Sequence, residues 1–181
     1  MIVAIIIFLI LFILDQVTKL LAFKYAPSVE SKTVIPHFLD IQYVENEGMA
    51  WSMLNDKTWI LVIISFVGSL FLLGALIKFL DWKNAKFLTF SLTLSLAGCF
   101  GNFFDRFISL LNIENARGGV IDMIQFKPFD FLCNLLNLGL TTFNLADVFL
   151  VIGVISIAID IIFFKEKREE KLGKIKRKKL D

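Results

Sequence analysis

Four long apolar stretches alternate with segments of mixed polar and apolar residues along this chain. The apolar stretches cover residues 2–23, 59–80, 87–107 and 144–164. Each is close to the ~20 residues that a helix needs to cross the hydrocarbon core of a bilayer. The pattern therefore predicts four membrane-spanning helices within a single membrane domain, residues 1–164, followed by a polar tail over residues 165–181.

The two longer polar segments, residues 24–58 and 108–143, differ from the helices in pattern. Residues 38–46 (FLDIQYVEN) partly alternate between apolar and polar side chains, which is typical of a short strand. A cleaved signal peptide is the alternative for the first apolar stretch, but no basic segment precedes it and its apolar run is long for such a leader. We therefore expect a membrane α-helical fold of four transmembrane helices, with a small extracytoplasmic β-sheet and outer loops.

Composition and charge support a membrane protein. Hydrophobic residues make up 57% of the chain and the mean hydropathy is +0.75, values typical of integral membrane proteins. The net charge of +2 is unevenly distributed. The tail, residues 165–181, has nine Lys/Arg and four Asp/Glu, whereas residues 1–164 have ten Lys/Arg and thirteen Asp/Glu. A basic tail next to a spanning helix indicates a cytoplasmic segment on anionic phospholipid. Nucleic-acid binding is disfavoured, because the tail has no interleaved aromatic residues.

The remaining connections fix the expected orientation. Residues 78–86 carry three Lys against one Asp, whereas residues 24–58 carry five acidic against three basic side chains. Because Lys and Arg accumulate on cytoplasmic segments, both termini are expected inside. Asp105, Asp122 and Asp147 then all fall near the outer boundary of the membrane. Ionisable residues at membrane depth are costly, so we interpret these three as candidate functional groups.

A pair of carboxylates is the chemistry that this chain offers most clearly. Two carboxylates brought together can activate a water, one as base and the other as acid. The chain has one histidine and two cysteines. It has no HExxH or GxSxG motif, which disfavours zinc and serine hydrolase chemistry. Cys99 lies in a predicted span and Cys133 in an outer segment, so we expect both to be free. No cofactor or metal is expected.

Two groups of polar residues at helical spacing have both a structural and a functional interpretation. Asp15, Thr18 and Lys19 share one helix face, and we favour a structural ion pair whose lysine reaches outward to the membrane surface. Asn144 and Asp147 are also three residues apart. Asn144 taken alone favours a simple N-cap of the fourth helix. The position of Asp147, one turn inside the span, favours a functional role.

The end of the third span carries a denser cluster. Gly98, Gly101 and Asp105 form a stripe on one helix face, flanked by Asn102 and Arg106. Small residues let a second helix approach closely, so the stripe is compatible with helix packing alone. The density of polar groups at one membrane boundary favours the alternative, in which these side chains build a site.

Five short motifs occur in a fixed order along the chain. They are Asp15-Gln-Val-Thr-Lys19, Asn46-Glu-Gly-Met-Ala-Trp51, Gly101-Asn-Phe-Phe-Asp-Arg106, Val120-Ile-Asp122 and Phe143-Asn-Leu-Ala-Asp147. Together, on four spans with this orientation, they resemble the lipoprotein signal peptidase family, the type II signal peptidases of bacterial inner membranes. The second motif contains a predicted outer turn, and a turn alone would also explain it. The resemblance covers nearly the whole chain except the tail.

The resemblance implies an aspartyl endopeptidase that cuts a diacylglyceryl-modified prolipoprotein just before its lipid-bearing cysteine. The catalytic pair that it implies is Asp122 and Asp147. The supporting residues that it implies are Asn46, Gly48, Asn102, Asp105, Arg106, Asn144, Asp15 and Lys19. It also implies a multi-pass protein of the inner membrane with both termini cytoplasmic, a site near the outer leaflet, contact with membrane phospholipid and function as a monomer.

Two departures from the family pattern stand out. Cys99 stands where the family usually has a second glycine near the end of the third helix. The segments on either side of Asp122 are longer than usual, and residues 113–118 and 129–141 are expected to extend the outer flaps. Asp130 is a rival carboxylate in this region, but it lacks the Val-Ile-Asp context.

Two other classes of function remain alternatives. A proton- or ion-coupled transporter would also hold buried Asp and Lys, but four spans without internal repeats or paired broken helices are a poor plan for one. A non-catalytic membrane subunit would tolerate loss of either aspartate. A presenilin-like aspartyl protease would need a Gly-x-Gly-Asp motif, which the sequence lacks.

Overall fold

The computed structural model describes residues 1–25, 31–46, 58–111, 118–135, 142–166 and 168–170. Within these residues four helices are long and apolar enough to cross a membrane. They are α1 (Ile2–Tyr25), α2 (Thr58–Phe79), α3 (Lys86–Leu110) and α5 (Leu145–Ile159), which continues as a π-helical turn (Asp160–Phe164). All four predicted spans are confirmed. Their ends differ from prediction by at most three residues, because Asn144 lies before α5 as its cap and α3 extends beyond residue 107 to Leu110.

Helix α3 is the central helix of the bundle. Of its apolar stretch 67% is buried inside the protein, against 17–28% for the other three spans. It packs against α1, α2 and α5. Its buried residues include small and hydroxyl-bearing side chains, and Thr93 and Ser95 bond to backbone carbonyls one turn earlier. Polar side chains on this helix are thereby satisfied within it and do not prevent close packing.

A four-stranded antiparallel sheet covers one end of the bundle. Its order is β1 (Lys32–Ile35), β2 (Leu39–Asn46), β3 (Val120–Phe126) and β4 (Thr142–Phe143). The strand predicted over residues 38–46 is confirmed as β2. Strand β3 and the following short helix α4 (Lys127–Leu135) lie in the segment that the sequence pattern left as loop. The sequence pattern predicts no strand or helix in this outer segment, because β3 is buried on both faces and shows no alternation.

The sheet is attached to the end of α1 through apolar side chains. Ala22 of α1 packs with Ile121 and Met123 of β3 in one buried cluster. An ion pair of 2.9 Å between Lys127 and Asp40 joins the start of α4 to β2. These contacts hold β3, and therefore Asp122, above the ends of the spanning helices. Neither Cys99 nor Cys133 forms a disulfide in the described part of the chain, as predicted.

Candidate active site

Five elements bring the predicted site residues to one end of the bundle. Strands β2 and β3 carry Asn46 and Asp122, and α1 carries Asp15 and Lys19. Helix α3 carries Asn102, Asp105 and Arg106, and Asn144 and Asp147 lie at the start of α5. Gly48 and the rest of the outer turn lie outside the described residues. Asp130, the rival carboxylate, lies on α4 and accepts a 2.7 Å hydrogen bond from Gln125.

Asp122 lies in the interior, under the sheet. It is 3% exposed. Strand pairing places Val44 opposite Asp122, and the nearby Asn46 donates from Nδ2 to its Oδ2 at 2.9 Å. Asn144 donates from Nδ2 to its other oxygen, Oδ1, at 2.7 Å. Burial, with the charge of Asp147 as the second cause, raises the pKa of Asp122 to about 7, and the two amide hydrogen bonds oppose that rise.

Asp147 is held by the start of its own helix. The Oδ1 of Asn144 accepts from the backbone N–H of Asp147 at 3.0 Å, and the Oδ2 of Asp147 accepts from the backbone N–H of Asn144 at 3.1 Å. This reciprocal arrangement is a capping box. The Nδ2 of Asn102 donates to the remaining oxygen, Oδ1, at 2.7 Å. Asn144 is therefore the N-cap, as the sequence favoured, and in addition a direct partner of Asp122.

Each of the four carboxylate oxygens of Asp122 and Asp147 thus accepts one N–H among the described residues. Three of the donors are side-chain amides and the fourth is a backbone group. Carboxylates held in this way cannot rotate without losing hydrogen bonds in a buried environment. The arrangement fixes two acidic groups in orientation while keeping them electrostatically coupled.

Close contact between α3 and α5 makes the bond from Asn102 to Asp147 possible. A Cβ on Gly98 would lie 2.3 Å from the carbonyl oxygen of Ala146, and a Cβ on Gly101 would lie 2.8 Å from Oδ2 of Asp15. Both positions are closed to any larger residue without movement of backbone or of a buried charge. The stripe predicted on α3 therefore serves packing and site building together, since it brings polar side chains of three helices within hydrogen-bond distance.

A cluster of buried charges lies beside the carboxylate pair. The Nζ of Lys19 lies 2.8 Å from Oδ2 of Asp15 and 2.6 Å from Oδ2 of Asp105, and these side chains are at most 1% exposed. The prediction that Lys19 reaches outward to the membrane surface was wrong. Two carboxylates converge on its ammonium, and their attraction outweighs the gain from reaching water. The other oxygen of Asp15 accepts the backbone N–H of Ala146 at 2.9 Å.

Arg106 lies at the edge of the site, half-buried. The charges of Asp147, Asp122 and Asp105 act on its guanidinium. Its Nε has no hydrogen-bond partner within the described part of the chain. A planar fork of N–H donors next to two carboxylates can bind a carbonyl oxygen of a substrate.

Two participants were not singled out from the sequence. Gln16 donates from Nε2 to Asp15 at 3.1 Å and to Asp105 at 3.2 Å, although it lies beside Asp15 in a quoted motif. The second participant is the backbone N–H of Ala146, which donates to Asp15. No feature of the sequence indicates this hydrogen bond. Cys99, the departure from the family pattern, faces α2, where its Sγ lies 3.5 Å from the carbonyl oxygen of Ser65. It therefore lies away from the carboxylate pair.

Metal ligation has no support in the donor set of the described residues. No group of three or more His, Cys, Asp or Glu side chains in those ranges is arranged to hold an ion. The amides and the lysine around the carboxylates are donors.

Comparison with known proteins places this geometry in a family. The family model described as Signal peptidase (SPase) II matches residues 7–163. The lipoprotein signal peptidase of Caldanaerobacter subterraneus subsp. tengcongensis is 36% identical over 150 residues, which is 83% of this chain and 89% of that protein. The lipoprotein signal peptidase of Enterococcus faecalis is 33% identical over 157 residues, covering 87% and 86% of the two chains.

Solved structures agree with the sequence comparisons. A bacterial membrane enzyme determined by the in meso method at 2.3 Å resolution superimposes with a TM-score of 0.68 and 34% identity, covering 91% of this chain and 92% of that one. A second such structure, at 1.9 Å resolution, has the same TM-score and identity, with 90% and 94% covered. These matches extend over all four spans and the sheet. The chain belongs to the signal peptidase II family, a family of aspartic peptidases whose curated members are lipoprotein signal peptidases.

Proposed function

We propose that this protein removes the signal peptide from diacylglyceryl-modified prolipoproteins, cutting just before the lipid-bearing cysteine, with Asp122 and Asp147 as the catalytic pair. The single observation that carries the proposal is the pair itself. Two coupled carboxyl groups, the buried Asp122 and the half-buried Asp147, are held by four N–H donors at one end of the helix bundle. Curated relatives with this name support the class of substrate.

The proposed mechanism uses one proton shared by the pair. With its pKa raised to about 7, Asp122 is the member that retains a proton near neutral pH. The ionised Asp147 takes a proton from a water, whose oxygen attacks the carbonyl carbon of the scissile peptide bond. Asp122 gives its proton to the carbonyl oxygen. When the tetrahedral gem-diol collapses, one hydroxyl proton returns to the ionised Asp122 as the C=O bond re-forms. The C–N bond breaks, and the proton held by Asp147 passes to the leaving amine, which restores the starting protonation of the pair.

The surrounding residues orient this chemistry. Asn46, Asn102 and Asn144 donate side-chain hydrogen bonds of 2.7–2.9 Å that orient the two carboxyl groups. Arg106 binds a carbonyl oxygen of the substrate chain, since its guanidinium lies in the field of both aspartates and its Nε is unpartnered in the described part of the chain. The resemblance to the family also implies a supporting role for Gly48.

The orientation of the protein in the membrane determines how a lipid-modified substrate reaches the site. The excess of basic residues in the tail and in the loop over residues 78–86 supports an orientation with both termini in the cytoplasm. The carboxylate pair then lies near the outer leaflet of the bacterial inner membrane, and residues 1–164 form one membrane domain with residues 165–181 as a cytoplasmic tail on phospholipid. The acyl chains of the substrate remain in the bilayer while its peptide reaches the pair. All the proposed residues come from one chain, so a monomer suffices.

The test is cleavage of a diacylglyceryl-modified prolipoprotein by the purified protein and by its Asp122→Asn and Asp147→Asn variants. Both variants are expected to lose cleavage while folding and inserting normally. The matched control is Asp130→Asn, which changes another buried carboxyl group at 9% exposure but lies on α4; it is expected to cleave normally. Full activity in Asp147→Asn would exclude the aspartyl mechanism. No cleavage by the natural protein would favour a transport or subunit role.

A further inference from the structure

The amide of Asn102 lies between a buried cation and a carboxylate of the proposed catalytic pair. Its Oδ1 accepts from Nζ of Lys19 at 3.1 Å. Its Nδ2 donates to Oδ1 of Asp147 at 2.7 Å. Both Lys19 and Asn102 are buried, at 0% and 5% exposure, so water does not compete for either contact. A single amide therefore joins the ion cluster of α1 to the carboxylate on α5.

The chemistry of the ammonium group decides which way this amide faces. A lysine ammonium has three N–H donors and no acceptor. The three acceptors around Lys19 are Oδ2 of Asp15, Oδ2 of Asp105 and Oδ1 of Asn102. The side of the Asn102 amide that faces Lys19 must therefore be the oxygen, and the NH₂ must face Asp147.

The second amide of the site is fixed by a different donor. The Oδ1 of Asn144 accepts the backbone N–H of Asp147 at 3.0 Å, and a backbone N–H cannot become an acceptor. Its NH₂ group is thereby directed at Asp122. The orientation of Asn144 follows from helix capping alone and needs no charged residue. That of Asn102 depends on two donors from other elements, Nζ of Lys19 at 3.1 Å and Nδ2 of Asn144 at 3.2 Å.

We propose that Lys19 is a positioning residue, which fixes the orientation of the Asn102 amide and thereby keeps an N–H donor on Asp147. The inference rests on the proposed function, since it assigns Lys19 a part in the same reaction. Lys19 touches neither of the proposed catalytic carboxylates. Its charge also lowers the pKa of Asp122, by less than burial, Asp147, Asn46 or Asn144 changes it. Its effect on Asp147 passes through Asn102.

Removal of the Lys19 ammonium would change which orientation of the Asn102 amide is favoured. Asp15 and Asp105 would then need a new donor, and a rotated Asn102 would supply its NH₂ to that side. The bond that opposes rotation comes from Asn144, whose Nδ2 lies 3.2 Å from Oδ1 of Asn102. Hydrogen bonds to a carboxylate are roughly twice as strong as neutral ones. The rotated amide would face Asp147 with an oxygen, and two acceptors would then oppose each other unless a proton lies between them.

A purely structural role for Lys19 makes a different prediction. In that case the loss of Lys19 would lower the stability of the fold. Its effect on kcat would be independent of a second substitution, so the two losses in kcat would multiply. A buried ion cluster used only for stability can often be replaced by apolar residues at little cost. The two roles therefore differ in whether Lys19 and Asn102 act through each other.

The experiment is a double-mutant cycle on Lys19→Met and Asn102→Ala, measured as kcat and KM for cleavage of a diacylglyceryl-modified prolipoprotein. Lys19→Met alone is expected to lower kcat about 10²- to 10³-fold, in the range of losing one positioned donor, with KM changed less than about 3-fold. In the Asn102→Ala background the same change is expected to cost less than about 3-fold more. The acidic limb of the pH–rate profile is expected to move to higher pH in Lys19→Met alone.

Two additions keep the outcome decisive. Arg168→Met is the matched control, because it removes the cation of another buried ion pair, with Asp160, far from the site; its kcat is expected to be unchanged. If Lys19→Met does not fold, the double variant Lys19→Met/Asp105→Asn takes its place in the cycle. It removes one buried negative charge together with the ammonium group, so fewer carboxylates are left unpaired. Additive losses in kcat, or an unmoved pH profile, would overturn the inference. Retained cleavage in Asp122→Asn or Asp147→Asn would overturn the proposed function instead, so the two failures are distinguishable.

Discussion

Asn144 connects to Asp122 through a 2.7 Å hydrogen bond from its Nδ2, while its Oδ1 caps the helix that carries Asp147. One side chain therefore fixes the position of α5 and the orientation of a carboxyl group on a strand. This double use places the two aspartates relative to each other. It also means that the capping role and the site role can be separated by substitution.

Replacing Asn144 by Ser or Ala separates these roles. Serine keeps a capping oxygen but is too short to reach Asp122, so Asn144→Ser and Asn144→Ala are both expected to lower kcat about 10²-fold through misplacement of the pair. Only the alanine variant loses the cap, so it is expected to be less stable than the serine variant by about 1 kcal/mol. Thermal unfolding in detergent and cleavage kinetics measure the two effects. Natural turnover in Asn144→Ser would contradict the link to Asp122.

The raised pKa of Asp122 predicts a pH-dependent stability. Burial raises that pKa from 3.8 to about 7, so the folded protein holds a proton between pH about 4 and 7 that the unfolded chain has lost. The free energy of unfolding therefore falls as the pH rises through this window, by on the order of 4 kcal/mol. Asp122→Asn lacks this titration, so it is expected to be more stable than the natural protein at pH 8, with the difference shrinking towards pH 4.

Unfolding of both proteins by heat across that pH range checks the prediction. The corresponding Asp130→Asn variant serves as reference for the loss of a buried carboxyl group away from the site. A stability difference between Asp122→Asn and the natural protein that does not vary with pH would show that Asp122 is already ionised at low pH.

The contact of α3 with α5 at Gly98 predicts a loss of both stability and turnover on enlargement. A Cβ there would lie 2.3 Å from the carbonyl oxygen of Ala146 and 2.6 Å from the backbone nitrogen of Leu150, so the helices must separate. Gly98→Ala is expected to cost about 1–3 kcal/mol of stability. Turnover is expected to fall at least about 10-fold, because the amide of Asn102 on α3 is drawn away from Asp147.

The control for this substitution is Gly74→Ala in α2. A Cβ at Gly74 meets nothing within 4 Å. That variant is expected to leave turnover unchanged and to stabilise the helix by up to about 1 kcal/mol. Equal effects of the two alanines would show that the Gly98 contact does not set the distance between the helices.

The buried ion pair at the other end of α5 predicts a stability effect without a catalytic one. The Nη1 of Arg168 lies 2.7 Å from Oδ1 of Asp160, whose side chain is 2% exposed. Arg168→Met leaves Asp160 uncompensated and is expected to cost about 3 kcal/mol with kcat unchanged. Lys165→Gln, at an exposed position, is the control. Two truncated chains extend the test, one ending at residue 167 and the other at residue 170. Only the chain that ends at residue 167 lacks Arg168, and only this chain is expected to lose expression. Residues 171–181 lie outside the described residues.

The sequence by itself determined the four long apolar helices, and it supplied their expected orientation and the candidate site residues. Apolar length is a local property, so each helix followed from its own residues. The motifs also made Asp122 a candidate despite the longer segments on either side of it. Asn144 as N-cap was likewise predictable, because capping depends on residues within one turn.

Only the tertiary structure decided which of these residues meet. Nothing local indicates that Lys19 is buried between two carboxylates, that Gln16 bridges the same two groups, or that β3 brings Asp122 to Asn46. These contacts join residues up to 131 positions apart, as in the bond from the backbone of Ala146 to Asp15. A side chain's partners depend on the elements packed against it. For that reason the sequence named the carboxylates, whereas the fold decided their hydrogen bonds, their orientation and the raised pKa of Asp122.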